Sequence, residues 1–159
     1  MRRFPGTRRR LDFKAEEKGV VFVDDYAHHP REIASSLEAL KPLKKRRQVT
    51  LFQPHRFSRV RDLISEFSSC FADTDVLIIT DIYAASERQI RGVDAHFLLK
   101  KIRQNFKKVI IYIPKERLIQ TIPLLLKRGD CLVALGAGDS NRILEHIIKR
   151  WKKLNGLKR

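Results

Sequence analysis

The chain has 159 residues, 43% of them hydrophobic, with 7 Gly and 6 Pro, which predicts one compact domain with a proper core. It lacks the roughly 18 to 20 consecutive apolar residues that span a bilayer, and its amino terminus is unlike a secretion signal, so we expect a soluble, cytoplasmic protein. Its 34 Lys and Arg against 18 Asp and Glu give a net charge of +16, which makes polyanions candidate ligands.

The first residues have the composition of a linker. Residues 4–6 are Phe-Pro-Gly, and no strand or helix pattern precedes them. We therefore assign residues 1–7 to a linker from a missing preceding domain, residues 8–154 to the domain proper, and residues 155–159 to a basic tail.

A hairpin and five apolar runs follow in chain order. Residues 10–15 predict an extra strand that turns at residues 17–19 into the first run and forms an antiparallel edge. The runs are rich in Val and Ile and mostly unbroken, as in strands that are buried on both faces of a parallel sheet. They cover residues 20–23, 49–52, 76–80, 109–113 and 132–135.

Helical segments alternate with these runs. Three of them show the apolar spacing of one helix face, at residues 33–40, 60–67 and 97–106, and a final helix is expected over about residues 141–151. This alternation predicts an α/β, Rossmann-like, mostly parallel sheet of about six strands, with helices on both faces and right-handed crossovers.

Polar residues follow four of the five runs. Ligands of open parallel sheets bind beyond the carboxyl ends of the strands, so these residues share one rim. Convergence of His, Arg and Asp on that rim predicts a functional site. The four segments are Asp-Asp-Tyr-Ala-His-His-Pro at 24–30, Gln-Pro-His-Arg-Phe-Ser-Arg at 53–59, Asp-Ile-Tyr-Ala-Ala-Ser-Glu at 81–87 and Gly-Ala-Gly-Asp at 136–139.

Two of these segments also have purely structural interpretations. Pro30 suits the first turn of a helix, and His29 then simply precedes it. Arg56 and Arg59 could be surface charges at a helix start. Because a helix amino terminus attracts anions, a clamp for a carboxylate or phosphate is the functional alternative for this arginine pair.

Neither a metal site nor a dinucleotide fingerprint is expected. His28 and His29 are adjacent and point apart in most conformations, which disfavours zinc despite the nearby aspartates. Gly136 and Gly138 lack the third glycine of the fingerprint and predict a tight strand-to-helix turn with close backbone packing. Asp139 is expected to cap the last helix.

The sequence lacks the motifs of several common catalytic and binding sites. The sequence contains neither a Walker-type phosphate loop nor a nucleophile elbow, so the main phosphate cradle must come from elsewhere. Cys70 and Cys131 have no CxxC spacing and are expected to be reduced, buried and structural. The basic residues are spread along the chain without a known nucleic-acid-binding signature, so any binding to nucleic acid should not be sequence-specific.

The strand-end motifs resemble the third, C-terminal domain of the Mur ligase family over essentially the whole chain. The resemblance rests on Gly-Thr-Arg-Arg-Arg at 6–10 and on the segments 24–30, 52–59, 81–87 and 136–139, in order and spacing. Within the family it is similar to the member that adds L-alanine to UDP-N-acetylmuramate. The sibling that recycles murein tripeptide shares the first His-His-Pro stretch but lacks Phe-Gln-Pro-His-Arg.

The resemblance implies an ATP-dependent ligase of peptidoglycan precursor synthesis that works through an acyl phosphate. It also implies two further domains, an N-terminal domain for the UDP-sugar and a central domain that binds most of the ATP and magnesium. The isolated third domain would then be inactive. The expected partners are these two domains, L-alanine and UDP-N-acetylmuramate.

The resemblance further implies roles for individual residues. Arg10 matches a position that reaches the transferring phosphate, and Asp25 matches one that contacts the nucleotide, although neighbouring Asp24 leaves this assignment open. Tyr26 and His28 match positions that line the alanine pocket, and we count His28 with Arg10 and Asp25 among the catalytic residues. The residues that match the group holding the amino-acid carboxylate are His55, Arg56 and Arg59.

Two alternatives stay open from the sequence. The first is another Mur-type ligase domain with a different amine substrate. The second is a stand-alone basic module that binds nucleic acid or UDP-linked precursors, and only the charge of +16 supports it.

Overall fold

The computed structural model describes residues 10–156, and one six-stranded sheet lies at its centre. The strands are β1 (Asp12–Glu17), β2 (Val20–Asp25), β3 (Gln48–Phe52), β4 (Val76–Ile79), β5 (Val109–Tyr112) and β6 (Cys131–Leu135). Their order in the sheet is β1-β2-β6-β3-β4-β5, and β1 is antiparallel to β2 while all other neighbours are parallel. The predicted mixed sheet of six strands is confirmed, whereas the predicted linker at 1–7 lies outside the described residues.

The edge strand belongs to the predicted hairpin. Lys18 and Gly19 have φ angles of 52° and 79° and form a two-residue turn between β1 and β2. Positive φ at both positions matches the twist of the paired strands. The indole N–H of Trp151 donates a hydrogen bond of 2.8 Å to the carbonyl of Glu17, which ties the hairpin to the last helix.

Within residues 10–156, six α-helices and two short 3₁₀ turns accompany the strands. The helices are α1 (Pro30–Ala39), α2 (Phe57–Asp62), α3 (Ile64–Phe67), α4 (Ala95–Asn105), α5 (Leu118–Leu125) and α6 (Ser140–Gly156); the 3₁₀ turns are Lys41–Leu43 and Lys115–Arg117. The apolar segment 60–67 does not form one helix, because the chain breaks at Leu63 with φ −109° and ψ 22°. The spacing of Leu118 and Ile122, both buried, signals α5, which the sequence analysis did not single out. The last helix continues past Trp151 to Gly156.

Helices cover both faces of the sheet. Alternate strand residues point to opposite faces, so Val21 and Val23 pack with α1 to α4, whereas Val20 and Phe22 pack with α5 and α6. The two cysteines are free and buried, as predicted. Burial raises the pKa of the Cys131 thiol to about 11. Within residues 10–156, no helix is long and apolar enough to cross a membrane.

The strand order decides which loops become neighbours. The chain goes from β2 to β3 and returns later, so that β6 pairs with β2 on one side and with β3 on the other. The loop after β6 therefore lies between the loops that follow β2 and β3, and the loop after β4 lies beyond that of β3. All four segments of the predicted rim end up at one edge of the sheet.

Candidate functional site

The loop after β2 directs His28 across the rim. Pro30 occupies the first position of α1 and His29 is its N-cap, as the structural interpretation predicted. A Glu32 carboxylate oxygen accepts the His29 N–H at 3.4 Å, which fixes the start of the helix. Nδ1 of His28 is 2.9 Å from the carbonyl oxygen of Tyr26. A carbonyl can only accept, so Nδ1 carries a proton, and in the neutral form of the ring Nε2 has the lone pair.

Asp25 organises the beginning of this loop. Its side chain is almost completely buried and accepts three hydrogen bonds, from the Leu11 N–H at 3.2 Å, the Ala27 N–H at 2.8 Å and the Ser36 hydroxyl at 2.8 Å. These bonds hold residues 11, 27 and 36 around one carboxylate. Asp24 is also buried.

A surface cavity of about 390 Å³ adjoins Asp25. Arg10 and Arg31 are among the residues that line it, and the exposed Arg10 side chain has a long contact of 3.8 Å to Glu32. Tyr26 also lines this cavity, whereas Asp24 does not. The cavity is therefore a polar recess beside the end of β2, lined by two arginines and by the carboxylates of Asp25 and Glu32, and Tyr26 joins it to the neighbouring histidines.

The loop after β3 joins His55 to Arg59. The Arg59 guanidinium donates hydrogen bonds to Nδ1 of His55 at 3.0 Å and to its carbonyl oxygen at 3.1 Å. Nδ1 is therefore an acceptor, and the neutral ring carries its proton on Nε2. Burial, followed by the positive charge of Arg59, lowers the pKa of His55 to about 4.

Aromatic rings from three loops line up at the centre of the rim. The Tyr26 and His28 rings meet edge to face at 5.3 Å, and His28 lies 5.7 Å from His55. His55 stacks on Tyr83, from the loop after β4, at 5.5 Å and 12°. We call these four residues, together with Arg56 and Arg59, the rim cluster.

Arg56 has an unusual backbone at the start of α2. Its φ of 71° lies in the left-handed region, which a long side chain rarely adopts. Its N–H donates to the Tyr83 carbonyl at 2.8 Å. Among residues 10–156, the exposed guanidinium of Arg56 has no hydrogen bond or ion pair. Its charge interacts with His55 and Glu87, so it is an exposed cation beside the histidine rings.

The loop after β6 packs tightly under the rim cluster. A Cβ on Gly138 would stand 2.5 Å from Oε1 of Gln53 and 2.7 Å from the Tyr83 ring, which confirms the predicted close packing. Gln53 and Asp139 exchange two hydrogen bonds, of 2.7 and 3.1 Å. The Asp139 carboxylate also pairs with Lys115 at 2.5 Å, and its carbonyl accepts the Ile143 N–H in the first turn of α6. Burial opposes ionisation of Asp139, but Lys115 and Gln53 keep its pKa below the ordinary value.

Two residues at the rim received no role from the sequence. Lys115 lies just after β5. Ligands of open parallel sheets bind beyond the carboxyl ends of the strands, so its position at such an end is the signal that indicates it. Glu87 lies inside a segment that was singled out, but its contact with Ser58 on α2 joins residues 29 positions apart. Nothing in the local sequence signals that contact. Within the described residues, no group of three or more His, Cys, Asp or Glu side chains is arranged to hold a metal ion.

Comparison with known proteins gives one consistent family. A family model described as "Mur ligase, glutamate ligase domain" matches residues 9–138. The UDP-N-acetylmuramate–L-alanine ligases of Desulfotalea psychrophila and Anaeromyxobacter dehalogenans are 46% and 43% identical over 138 and 139 residues. These alignments cover 86% and 87% of this chain and 30% of each relative, so the chain spans about a third of the curated relatives it matches.

Solved structures show the same fold. A UDP-N-acetylmuramate–alanine ligase from Thermotoga maritima aligns with a TM-score of 0.72 at 21% identity, over 92% of this chain and 30% of that one. A murein peptide ligase from Psychrobacter arcticus aligns with a TM-score of 0.67 at 18% identity, over 94% and 31%.

Proposed function

Because the chain belongs to the Mur ligase family through its glutamate ligase domain, we propose that it is the C-terminal domain of an ATP-dependent ligase that joins L-alanine to UDP-N-acetylmuramate. The names of relatives at 43% and 46% identity support L-alanine as the amine substrate. The observation that carries the proposal is the rim cluster, where the Arg56 guanidinium, which has no hydrogen bond or ion pair among residues 10–156, stands beside the imidazoles of His28 and His55.

Arg56 and Arg59 bind the carboxylate of L-alanine in this proposal. No residue among 10–156 hydrogen-bonds to the Arg56 guanidinium, so all its N–H donors can point to the ligand. Arg59 bonds to His55 through Nη1 and keeps the N–H donors of its other nitrogens. A planar guanidinium binds a carboxylate through two parallel hydrogen bonds, which also orients the amine. The N–H on Nε2 of His55 supplies a further donor, because the ring stays neutral at pH 7.

His28 takes a proton from the alanine amine. An ammonium group cannot attack a carbonyl, so a base must accept a proton before or during the attack. Nδ1 of His28 donates to Tyr26 and leaves the Nε2 lone pair free for this task. Tyr26 and Tyr83 flank the histidines and limit the space for the amino-acid side chain.

The cavity beside Asp25 serves the nucleotide side of the reaction. ATP supplies the phosphoryl group that activates the muramoyl carboxylate as an acyl phosphate, from which phosphate leaves when the amine attacks. Arg10 and Arg31 line this cavity together with the carboxylates of Asp25 and Glu32. In this proposal the exposed Arg10 turns to the transferring phosphate and stabilises the charge that develops there. Asp25, and not Asp24, lines this cavity, which supports Asp25 as the nucleotide contact.

The remainder of the enzyme holds most of the ATP and the magnesium. The relatives are about three times longer than the matched segment, which leaves room for the UDP-binding and ATPase domains. The sequence has no phosphate loop of its own. We therefore expect no turnover from this chain alone.

A domain exchange tests the proposal. This chain would replace the matching C-terminal third of the ligase from Desulfotalea psychrophila, and phosphate release would be followed with ATP, UDP-N-acetylmuramate and L-alanine. We expect release that depends on L-alanine from the hybrid, and none from this chain or the truncated relative alone. Circular dichroism and UDP-N-acetylmuramate binding establish that the hybrid is folded.

Two outcomes would count against the proposal. A folded hybrid without any amine-dependent release would mean that this domain does not complete such an enzyme. A hybrid that prefers murein tripeptide or another amine over L-alanine would support a different member of the family.

A further inference from the structure

The loop after β4 contains a strained turn. The Glu87 N–H donates to the Ala84 carbonyl at 3.0 Å, and the two residues between them, Ala85 and Ser86, have φ angles of 49° and 70°. Left-handed backbone is unfavourable for residues with a Cβ and persists only where surrounding contacts hold it. This turn directs Glu87 back towards α2.

Glu87 caps α2 from outside that helix. Its carboxylate accepts the Ser58 N–H at 3.1 Å and the Ser58 hydroxyl at 2.5 Å, and Ser58 is the second residue of α2. The residue in the N-cap position, Arg56, makes no capping bond with its own side chain. A carboxylate at this place satisfies an otherwise free helical N–H group. These bonds from Ser58 hold the pKa of Glu87 below its ordinary value.

The same loop holds both sides of the strained Arg56. Tyr83 accepts the Arg56 N–H at 2.8 Å and donates its own N–H to Pro54 at 2.8 Å, just before Arg56 in the chain. The Glu87 contact with Ser58 fastens the chain just after it. With only six residues, α2 has little stability of its own, so these contacts determine where the Arg56 side chain starts.

We propose that Glu87 is a positioning residue for the amino-acid substrate: by clamping Ser58 it keeps Arg56 in its strained backbone conformation and aims the guanidinium at the substrate carboxylate. This inference rests on the proposed function of the rim cluster. Glu87 itself touches no substrate. Its carboxylate is engaged by Ser58, and it acts on the ligand through the backbone that joins Ser58 to Arg56 and through its charge, which interacts with Arg56 and His55.

Variants of the hybrid enzyme described above test this role. Glu87→Ala should raise the KM for L-alanine about tenfold, as expected for loss of hydrogen bonds to a charged group, while the KM values for ATP and UDP-N-acetylmuramate stay within about twofold. Glu87→Gln keeps the side-chain length and one acceptor oxygen and should recover part of the loss. Glu66→Ala, an exposed glutamate on α3, is the matched control and should leave all three constants unchanged.

A double substitution checks the route through Ser58. Ser58→Ala should raise the KM for L-alanine less than Glu87→Ala, and the combined variant should be no worse than Glu87→Ala alone. Equal increases for L-alanine and ATP, or additive effects of the two substitutions, would overturn the inference. An unchanged KM for L-alanine in a Glu87→Ala hybrid whose parent is active would overturn this inference alone. A parent hybrid that does not use L-alanine would overturn the proposed function as well.

Discussion

Arg59 donates a hydrogen bond to Nδ1 of His55 over 3.0 Å, so the histidine is held as an acceptor by a permanently charged donor. A proton on Nδ1 would break this bond and place two cations against each other. Burial, followed by the positive charge of Arg59, lowers the pKa of His55 to about 4. The rim therefore keeps its cationic character on the arginines, where it does not vary with pH, and leaves the His55 imidazole neutral.

We predict that His55 titrates far below an ordinary histidine, whose pKa is about 6.5. NMR spectra of the imidazole carbon-bound protons recorded from pH 3 to 8 should give a midpoint at about 4. Arg59→Met should raise that midpoint, because a positive charge and a donor are removed. A midpoint near 6.5 in the unaltered chain would contradict the prediction.

The same shift links stability to pH. Between about pH 6.5 and about 4, the unfolded chain binds a proton at His55 while the folded chain does not, so the free energy of unfolding falls as the pH is lowered through this window. Above pH 6.5 the ring is neutral in both states and contributes no slope. Urea unfolding at several pH values should show a shallower decline for His55→Gln. Parallel curves for the two proteins would argue against this linkage.

Substitution of Arg56 tests substrate binding directly. In the hybrid enzyme, Arg56→Met should cost about 2 to 5 kcal/mol of L-alanine binding, because the amino-acid carboxylate loses its partner in a site that the other two domains enclose. The KM for L-alanine should then rise by roughly 30-fold or more. The KM for ATP and the stability of the fold should change little, since the guanidinium is exposed. Arg61→Met, on the same short helix, is the control and should resemble the parent.

Gly138→Ala should destabilise the fold. The new Cβ would overlap Oε1 of Gln53 and the ring of Tyr83, at 2.5 and 2.7 Å. Overpacking of this kind costs about 1 to 3 kcal/mol, and displacement of Gln53 also weakens its bonds to Asp139. Gly156→Ala is the control, because no atom lies within 4 Å of its added Cβ. Unfolding by urea should separate the two variants, and equal stabilities would contradict the packing argument.

Asp25→Asn should be costly although it preserves the shape of the side chain. The carboxylate accepts three hydrogen bonds, and the amide would present a donor to at least one of the three donors. A buried group left unsatisfied costs about 1 to 3 kcal/mol. Asp12→Asn, at a surface pair with Lys14, should change the free energy of unfolding by less than about 1 kcal/mol. A similar small change at Asp25 would show that the loop can rearrange at no cost.

The sequence by itself determined the strands and most of the composition of the rim. The unbroken Val-Leu-Ile-Ile run at β4 is typical of a strand that is buried on both faces of a parallel sheet, so its strand character could be predicted from the residues alone. The carboxyl ends of parallel strands lie at one edge, which placed His28, Arg56 and Asp25 on a common rim without knowledge of the strand order. The family resemblance supplied their chemical roles.

Only the tertiary structure decided which rim residues touch. Hydrophobic periodicity indicates which face of an element is buried but says nothing about the order of strands in the sheet. The insertion of β6 between β2 and β3, with small glycines at its end, brings His28 to 5.7 Å from His55. The contact of Glu87 with Ser58 likewise depends on two loops from neighbouring strands and on a left-handed turn in a segment without glycine. Such contacts depend on long-range packing, which holds the backbone in conformations that the local sequence does not favour. No local sequence pattern could therefore have predicted them.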